Sequence, residues 1–240
     1  MTTVHLPRVD STQGTLFDLA AQGAPDRTVV VADYQAAGRG RRGRAWDAPA
    51  GTSLLTSILV RPQGPPERWG GYSLVSALAV ADALARVAGL GARLKWPNDI
   101  LVDGRKIAGI LLESRMPAAG GPGVAGVIAV GIGVNLGQRA FPAGLAARAT
   151  SVALETGRVV ERDAALAGVL EAFDGWRARF EREGLAPVRA RWLALADTIG
   201  RRVSVDGVSG VAVDLDVDGA LVLEDGERRH RVVAGELEVV

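Results

Sequence analysis

The sequence predicts an α+β fold: a central mixed sheet flanked by helices, followed by a small all-β region at the C-terminus. Apolar runs of strand length cluster in the middle of the 240-residue chain, and segments with helical spacing lie on either side of them. After Gly200 the residues alternate by twos, with Asp-Gly turn dipeptides between short segments. Hydrophobic residues make up 48% of the chain, which is enough for a sizeable core.

Helices are predicted from capping residues and from the spacing of apolar residues. The segment Asp10-Ser11-Thr12 precedes an apolar helical pattern and marks a helix start. Residues 72–87 have the spacing of an amphipathic helix. Further helices are predicted over residues 162–182 and 187–196.

Strands are predicted from apolar runs and from period-two alternation. In the first part of the chain they cover Thr28–Ala32, Ser53–Val60 and residues 93–96, 100–102, 107–113 and 124–134. In the last part they cover residues 203–205, 211–217, 220–223, 230–233 and 236–240, with turns at Asp206-Gly207, Asp218-Gly219 and Asp225-Gly226. A domain boundary is therefore predicted near Asp197, dividing the chain into residues 1–197 and 198–240. No internal repeat is visible.

Composition excludes several kinds of chemistry. The chain has no cysteine, which excludes disulfides and thiolate nucleophiles. His5 and His230 are the only histidines, so a His/Cys zinc site is nearly excluded and no protein metal site is predicted. The formal net charge is +1, without the basic surplus of a general nucleic-acid binder.

The chain is predicted to be cytoplasmic. Residues 1–10 lack the apolar run of a secretory signal. The apolar stretch at residues 74–90 is interrupted by Asp82 and Arg86, and the one at residues 124–136 is short and rich in glycine. Neither is predicted to span a membrane.

Lysine and asparagine are rare in this chain. Of 28 basic residues 26 are arginine, and the only lysines are Lys95 and Lys106. The only asparagines are Asn98 and Asn135, so three of these four residues fall within twelve positions. Such clustering indicates positions at which arginine cannot replace lysine and aspartate cannot replace asparagine.

The strongest local signal is a loop at residues 38–46 that contains three glycines, four arginines and Trp46. Glycine lets backbone amides approach an anion closely, and arginine forks match phosphate and carboxylate oxygens. The indole offers a face on which a purine can stack. Nothing between Gly38 and Arg44 can bury apolar area, so the loop is predicted to be mobile when empty and to order over an anionic ligand. The residues alone also fit a solvated basic loop or an RNA contact.

A second signal lies around the two lysines. Pro97 ends a strand, and Asn98 and Asp99 suit a turn that holds polar groups at the strand end. Lys106 opens an apolar strand, so its ammonium would lie at the sheet edge and could neutralise a transferring phosphate. Taken alone, a turn with a structural Trp96 and a surface lysine explains this segment equally well.

Together these motifs resemble the biotin protein ligase family. The matching segments, in the family's order, are Asp10-Ser11-Thr12, residues 35–46, Lys95-Trp96-Pro97-Asn98-Asp99, residues 106–111, Gly131-Ile132-Gly133-Val134-Asn135 and Gly235-Glu236. The arginine loop together with the Lys-Trp-Pro-Asn-Asp block is highly specific, whereas Ser11-Thr12 alone is weak. The resemblance implies a class II synthetase-like catalytic domain over residues 1–197 and an SH3-like β-barrel over residues 198–240. Because the first motif begins at residue 10, it implies a form without the N-terminal DNA-binding domain.

The resemblance also implies an activity. Biotin would be activated with ATP and Mg²⁺ as biotinyl-5′-AMP, releasing pyrophosphate, and then transferred to a lysine of the carrier protein of biotin-dependent carboxylases. DNA and membranes are not implied as partners, and a homodimer is compatible with the sequence. The implied catalytic residues are Lys106 and Arg41. The implied biotin contacts are Ser11, Thr12, Gln13, Gln35, Gly38, Arg39, Gly40, Arg41, Lys106 and Gly109. The implied ATP contacts are Arg41, Arg44, Trp46, Asn98, Asp99, Lys106 and Asn135.

These implied roles have a chemical basis. Ser11, Thr12 and Gln35 would match the donors and the acceptor of the ureido ring, while the amides of residues 38–41 would surround the biotin tail. Gln13 stands where the family more often has asparagine, which leaves that contact open. Two rivals remain: a lipoate or octanoyl ligase relative, which has no use for a ureido-binding set, and a non-enzymatic nucleic-acid binder. A purely structural scaffold would explain none of the polar clusters.

Overall fold

Two separate sheets organise the chain in the computed structural model, which describes residues 2–116 and 126–240. The strands of the first sheet are β1 (Thr2–Leu6), β2 (Thr28–Ala32), β3 (Ser53–Val60), β4 (Arg93–Lys95), β5 (Asp99–Val102), β6 (Arg105–Arg115) and β7 (Val127–Asn135). Those of the second sheet are β8 (Arg202–Val205), β9 (Val208–Leu215), β10 (Leu221–Asp225), β11 (Arg228–Val232) and β12 (Leu237–Val239). The helices are α1 (Thr12–Ala21), α2 (Gly71–Ala88), α3 (Ala143–Ala146), α4 (Val152–Thr156), α5 (Arg162–Glu183) and α6 (Ala186–Leu195).

The seven-stranded sheet has the order β1-β2-β3-β7-β6-β5-β4. Only the β1–β2 pair is parallel and all the other pairs described are antiparallel, so the sheet is mixed and the predicted α+β class is confirmed. Strand β1 is absent from the sequence prediction. It is a short edge strand with half-buried and exposed residues, including Thr2, Thr3 and His5, so it lacks the apolar run on which a strand prediction depends.

Helices cover both faces of this sheet. On one face, α2 and α5 pack on a large cluster that includes Val29, Val31 and Ile58. On the other face, α1 packs on a smaller cluster that includes Val30 and Leu59. Because side chains alternate along a strand, successive residues of β2 and of β3 point into opposite clusters.

Helix α2 is the most apolar of the four helices that have ten or more residues. It ends at Gly89, whose positive φ of 70° suits the left-handed conformation of a helix C-cap. An 18-residue window within Pro66–Ala88 has a mean hydropathy of 1.3, high enough for a membrane span by composition, but 72% of that window is buried inside the protein. The burial of α2 against the first sheet therefore explains its apolar composition.

Most predicted bounds agree with the structure to within two residues. The predicted helices at residues 72–87, 162–182 and 187–196 correspond to α2, α5 and α6. The predicted strand at 124–134 corresponds to β7, although its first two residues lie outside the described part of the chain. Helices α3 and α4 were not predicted, because each has at most five residues and too few positions to show a helical period.

The C-terminal sheet is antiparallel throughout, in the order β11-β10-β9-β8-β12. Asp206 and Gly207 both have positive φ, which is the geometry of a two-residue hairpin turn, as predicted. The strand pairing describes a sheet with β11 and β12 at its ends, and the SH3-like barrel stays a prediction.

Hydrogen bonds join the C-terminal region, residues 198–240, to the rest of the chain. Trp96 Nε1 donates to the carbonyl of Gly219 at 3.2 Å, and Arg189 Nε donates to the carbonyl of Leu215 at 2.6 Å. The backbone N–H of Trp96 donates to the hydroxyl of Thr198 at 2.9 Å. The Lys-Trp-Pro-Asn-Asp segment therefore lies at the junction of the two sheets. The division at residue 197 stays a prediction.

Candidate active site

The N-terminus of α1 and the segment after β2 form a buried polar cluster. Gln35 Oε1 accepts hydrogen bonds from the backbone N–H of Thr12 at 2.8 Å and from its hydroxyl at 3.0 Å. The same hydroxyl lies 2.7 Å from Oγ of Ser57, a fully buried residue of β3. These contacts occupy the carbonyl of the Gln35 amide, so among the described residues its Nε2 group is free to donate to a ligand.

Ser11 precedes α1 at the N-cap position but does not cap the helix. A serine there ordinarily accepts a hydrogen bond from a backbone N–H of the first turn, yet the side chain of Ser11 makes no such bond. The residue is 9% exposed and lies beside Thr12 in the polar cluster. Among the described residues its hydroxyl therefore remains available to a ligand, and the predicted contact with biotin stays a prediction.

Gln13 lies against the sheet next to this cluster. Its Nε2 donates to the carbonyls of Leu111 at 3.1 Å and Ala129 at 3.2 Å, on β6 and β7. Gly131 provides the space, because a Cβ at that position would lie 2.9 Å from Cδ of Gln13. The longer side chain, which departs from the family's usual asparagine, thus fits over a glycine, and its Oε1 remains able to accept a hydrogen bond.

The arginine loop, residues 38–46, folds back on itself as a tight hairpin. The N–H of Trp46 donates to the carbonyl of Gly38 at 2.9 Å, and the N–H of Gly40 donates to the carbonyl of Arg44 at 2.6 Å. A Cβ on Gly38 would collide with the carbonyl oxygen of Trp46, so this position requires glycine. At the tip, Arg42 and Gly43 have positive φ values of 56° and 72°.

Two arginines of the loop reach the C-terminal sheet. Arg42 pairs with Asp206, and Arg44 Nη1 lies 2.6 Å from Oε1 of Glu236. The hydrogen bond from Arg42 lowers the pKa of the Asp206 carboxyl below its ordinary value and raises that of the guanidinium. We call these two ion pairs the loop latch. The sequence predicts that an anionic ligand balances the charge of the loop, whereas in the structure two of its arginines have carboxylate partners more than 150 residues away.

Arg39 and Arg41 differ in their partners. Arg39 Nη2 lies 2.6 Å from Oε2 of Glu113 near the end of β6. Arg41 is half-buried and has no ion pair among the described residues. Burial is the largest influence on its pKa, followed by the positive charge of Arg42, and together they lower that pKa. An unpaired, partly desolvated guanidinium is a strong site for an anion.

Arg41 also lines a cleft of about 330 Å³ between the two sheets. The cleft is bounded by Asn98 and Leu111 on the first sheet and by Asp218 and Val233 on the C-terminal side. Ser11 and Gln35 do not line it. The cleft therefore adjoins one end of the candidate site, and the polar cluster at α1 lies outside it.

Lys106 faces the candidate site because of a β-bulge. Ile100 pairs with Ala108 but the next residue, Leu101, pairs with Lys106, so Ile107 is an extra residue in β6. In a regular strand Lys106 and Gly109 would face opposite sides. With the bulge they share a face: a Cβ on Gly109 would lie 3.2 Å from Nζ of Lys106.

The ammonium of Lys106 is held between a carboxylate and an indole. Its Nζ lies 2.5 Å from Oδ1 of Asp99 and 5.4 Å from the ring centroid of Trp46. The lysine side chain is one-third exposed, so a ligand can reach it. A compact cation beside one carboxylate can exchange that partner for a phosphate oxygen.

Trp46 covers two glycines of the sheet. Gly109 and Gly133 are paired across β6 and β7, and a Cβ on either would lie within 3.1 Å of the indole ring. The indole N–H is buried and has no hydrogen-bond partner among the described residues. A buried unpaired donor costs about 1–3 kcal/mol, so this N–H is a natural contact for a ligand acceptor.

The two asparagines have internal partners. Asn98 Nδ2 donates to the carbonyl of Ile110 at 2.8 Å, and Asn135 Nδ2 donates to the carbonyl of Thr150 at 2.9 Å. Asn135 Oδ1 accepts from Gln138 at 3.1 Å. Each amide retains a second N–H and a further lone pair. The predicted nucleotide contacts of both residues thus stay predictions.

Comparisons with known proteins identify relatives of this chain. Residues 5–135 match a family model described as the biotin/lipoate A/B protein ligase family. A biotin–[acetyl-CoA-carboxylase] ligase of Paracoccus denitrificans is 42% identical, over 97% of this chain and 98% of that protein. One of Mycobacterium tuberculosis is 37% identical, over 95% and 85%. The solved structure of a biotin protein ligase from Aquifex aeolicus in complex with biotin and ATP has a TM-score of 0.86 at 28% identity, covering 100% of this chain and 98% of that chain.

The chain belongs to the biotin/lipoate A/B protein ligase family.

The folded chain brings most of the predicted site residues close to one another. The α1 cluster, the arginine loop, and the β5–β6 residues around Lys106 are connected through Trp46 and the glycines beneath it. Sequence reasoning missed Ser57, Glu113 and the contacts that Asp206 and Glu236 make with the arginine loop, although Gly235-Glu236 is one of the matching segments. Single acidic residues and a lone serine carry no local signal, and only the folded chain shows that they contact the site.

Proposed function

We propose that this family member is a biotin–protein ligase that activates biotin with ATP and transfers it to a lysine of a carrier protein. The observation that carries the proposal is a site with two chemically different ends, which meet on one face of β7 where Gln13 lies on Gly131 and Trp46 lies on Gly133. One end offers neutral polar groups, the hydroxyl of Ser11 and the amides of Gln13 and Gln35. The other offers two cations: Arg41, which has no ion pair among the described residues, and Lys106, which can exchange its partner.

The two ends match the two parts of biotin. The ureido ring is neutral and presents two N–H donors and one carbonyl acceptor, which suit hydroxyl and amide partners. The tail ends in a carboxylate, which must approach the α-phosphate of ATP although both carry negative charge. Cations at the junction lower that repulsion and hold the reactants in position. The named relatives from Paracoccus and Mycobacterium support biotin as the substrate.

The first step forms an acyl phosphate anhydride. A carboxylate oxygen of biotin attacks the α-phosphorus, the bond from that phosphorus to the bridging oxygen breaks, and pyrophosphate leaves. Negative charge grows on the phosphoryl oxygens, where Lys106 exchanges its contact with Asp99 for a phosphate oxygen. Arg41 holds the new anhydride, and the loop hairpin shields it from water.

The second step forms the amide. The lysine amine of the carrier attacks the acyl carbon, the bond to the phosphate oxygen breaks, and AMP leaves with release of a proton. The chain has no cysteine, and neither step requires one. The acceptor is the carrier protein of biotin-dependent carboxylases, and the protein acts in the cytoplasm, as a monomer or a homodimer.

Magnesium belongs to the nucleotide in this proposal. No group of three or more His, Asp, Glu or Cys side chains in the described ranges could hold a metal, and Asp99 already contacts Lys106. The described residues thus offer Mg²⁺ no cluster of three or more such ligands. The triphosphate supplies the ligands that this ion prefers, and no step depends on a protein-bound metal.

The lipoate alternative shares the family and the fold. Lipoate has no ureido ring, so it would leave the donors and acceptors of Ser11, Gln13 and Gln35 without partners in a buried cluster. A nucleic-acid binder would need the arginines free, whereas Arg39, Arg42 and Arg44 each have a carboxylate partner. Both rivals are thus less consistent with the site than biotin is.

The test is ATP–pyrophosphate exchange with the purified chain. We expect exchange that depends on biotin, with lipoate and octanoate giving no more than background. A carrier domain should then gain one biotin at one lysine, measured by intact mass. Exchange that responds to lipoate but not to biotin would replace the proposal with a lipoate ligase, and exchange with neither would refute it.

A further inference from the structure

A short segment outside both sheets holds the backbone of Lys106. The N–H of Lys106 donates to the carbonyl of Arg148, and the N–H of Thr150 donates to the carbonyl of Lys106, each at 2.8 Å. Ala149 forms a parallel bridge with Lys106. Strand β7, which pairs with the following part of β6, ends at Asn135. The segment therefore takes the place of β7 beside the bulge.

Thr150 connects this segment to two further groups. Its carbonyl accepts from Asn135 Nδ2 at 2.9 Å, and its hydroxyl donates to the carboxylate of Glu155 in α4. The same carboxylate accepts from Arg105 Nη2 at 2.8 Å, so it contacts the residue next to Lys106 as well. Thr150 is fully buried and the side chain of Glu155 is 8% exposed.

We propose that Asn135, Thr150, Glu155 and Arg105 form a clamp that fixes the bulge at Ile107 and so positions Lys106 for adenylate formation. The proposal rests on the proposed function, because it assigns these residues to the first step of that reaction. Thr150 and Glu155 are positioning residues in it, acting through the backbone on either side of Lys106.

The location and the chemistry of the clamp both support this role. The bulge alone turns Lys106 from the core face of β6 to the site face, and bulges next to active sites commonly re-aim a side chain in this way. Burying a carboxylate costs free energy of desolvation. If the role of Glu155 were only structural, an apolar residue would fill it equally well. Glu155 bonds at once to the bulged strand and to the segment beside it, which an apolar residue could not do.

The first test compares Thr150→Val with Thr150→Ser. Valine keeps the shape but removes the hydroxyl that contacts Glu155, whereas serine keeps the hydroxyl. A reacting group displaced by about 1 Å loses roughly 100-fold in rate, so we expect kcat for exchange to fall about 10- to 100-fold in the valine variant. The KM values for biotin and ATP should change less than about threefold, because no substrate contact is lost. Serine should restore kcat.

A double variant separates positioning from general damage. If Thr150 acts through Lys106, then Thr150→Val in the Lys106→Arg background should lower kcat by less than about threefold further, because residues that act as a unit are not additive. The matched control is Thr156→Val in α4, which removes a hydroxyl whose hydrogen bonds among the described residues are to Val152 and Arg158. That variant should behave like wild type.

Several outcomes would overturn the clamp while leaving the ligase intact. These are wild-type kcat in Thr150→Val, a higher KM for ATP with unchanged kcat, or full additivity with Lys106→Arg. Biotin binding measured by calorimetry reports whether each variant is folded. If Thr150→Val fails to bind biotin, Glu155→Gln is judged by the same criteria, since it keeps the shape and removes the charge. A wild-type chain without biotin-dependent exchange refutes the proposed function instead.

Discussion

Gly109 and Gly133 face each other across β6 and β7, and the indole of Trp46 lies on both. Because these two paired glycines have no Cβ atoms, they leave a flat surface on the sheet that is large enough for one aromatic ring. Lys106 borders this surface and Asp99 borders Lys106. The end of the site that is proposed to bind phosphate thus depends on the absence of side chains at the two glycines.

Gly133→Ala tests the importance of that surface. The new Cβ would lie 2.6 Å from Cε2 of Trp46, so the indole must move. Overpacking costs about 1–3 kcal/mol, which corresponds to roughly 5- to 150-fold in affinity. We expect the KM for ATP to rise within that range and the tryptophan fluorescence to shift. Gly91→Ala is the control, because a Cβ there meets open space. An unchanged KM in Gly133→Ala would show that the glycine surface has no part in nucleotide binding.

Local features of the sequence were sufficient to predict most of the fold and the arginine loop. Asp-Gly turns and apolar runs act within a few residues, so they are visible in one segment. The direction in which Lys106 points was not predictable, because it depends on one extra residue in the pairing with β5. The latch was hidden for a different reason: Arg44 and Glu236 are 192 residues apart and have no pattern that links them.

Lys106→Ala is expected to remove adenylate formation without unfolding the chain. The side chain is one-third exposed and contacts Asp99 and Trp46 rather than the core. Loss of one electrostatic contact to a transition state costs about 10²–10³ in rate, so biotin-dependent exchange should fall by that factor. Lys106→Arg should recover only part of it, because a planar fork does not replace a compact ammonium. Near wild-type exchange in the alanine variant, with an unchanged melting temperature, would exclude the catalytic role.

Arg41→Gly is expected to release the adenylate into solution. Arg41 has no ion pair among the described residues, so its guanidinium is available for the anhydride. Each charge-assisted hydrogen bond contributes about 1.5–3 kcal/mol, which corresponds to roughly 10- to 150-fold faster dissociation. The measurement is the rate at which biotinyl-5′-AMP leaves the enzyme, followed by chromatography without a carrier. If the variant releases biotinyl-5′-AMP at the wild-type rate, Arg41 does not bind the intermediate as proposed.

The latch carboxylate Asp206 predicts a pH dependence whose sign can be worked out. Arg42 lowers the pKa of this carboxyl in the folded chain below its ordinary value of 3.8. A group with a depressed folded pKa stabilises the fold above its unfolded pKa, and that stabilisation is lost as the pH falls through the folded value. The melting temperature of wild type should therefore exceed that of Asp206→Asn by a constant amount from about pH 8 to pH 5, and the two should converge below about pH 4.

The matched control for the latch is Glu238→Ala, on the same sheet. Glu238 lies two residues beyond Glu236, is exposed, and has no ion pair among the described residues. Glu236→Ala and Asp206→Asn should each expose the loop to trypsin, which cuts after arginine, whereas Glu238→Ala should not. The reason is that Arg42 and Arg44 lose their only carboxylate partners in the described chain when the latch is removed. If all three variants are cut at the wild-type rate, the ion pairs do not restrain the loop, and its order must come from the hairpin hydrogen bonds between Gly38 and Trp46.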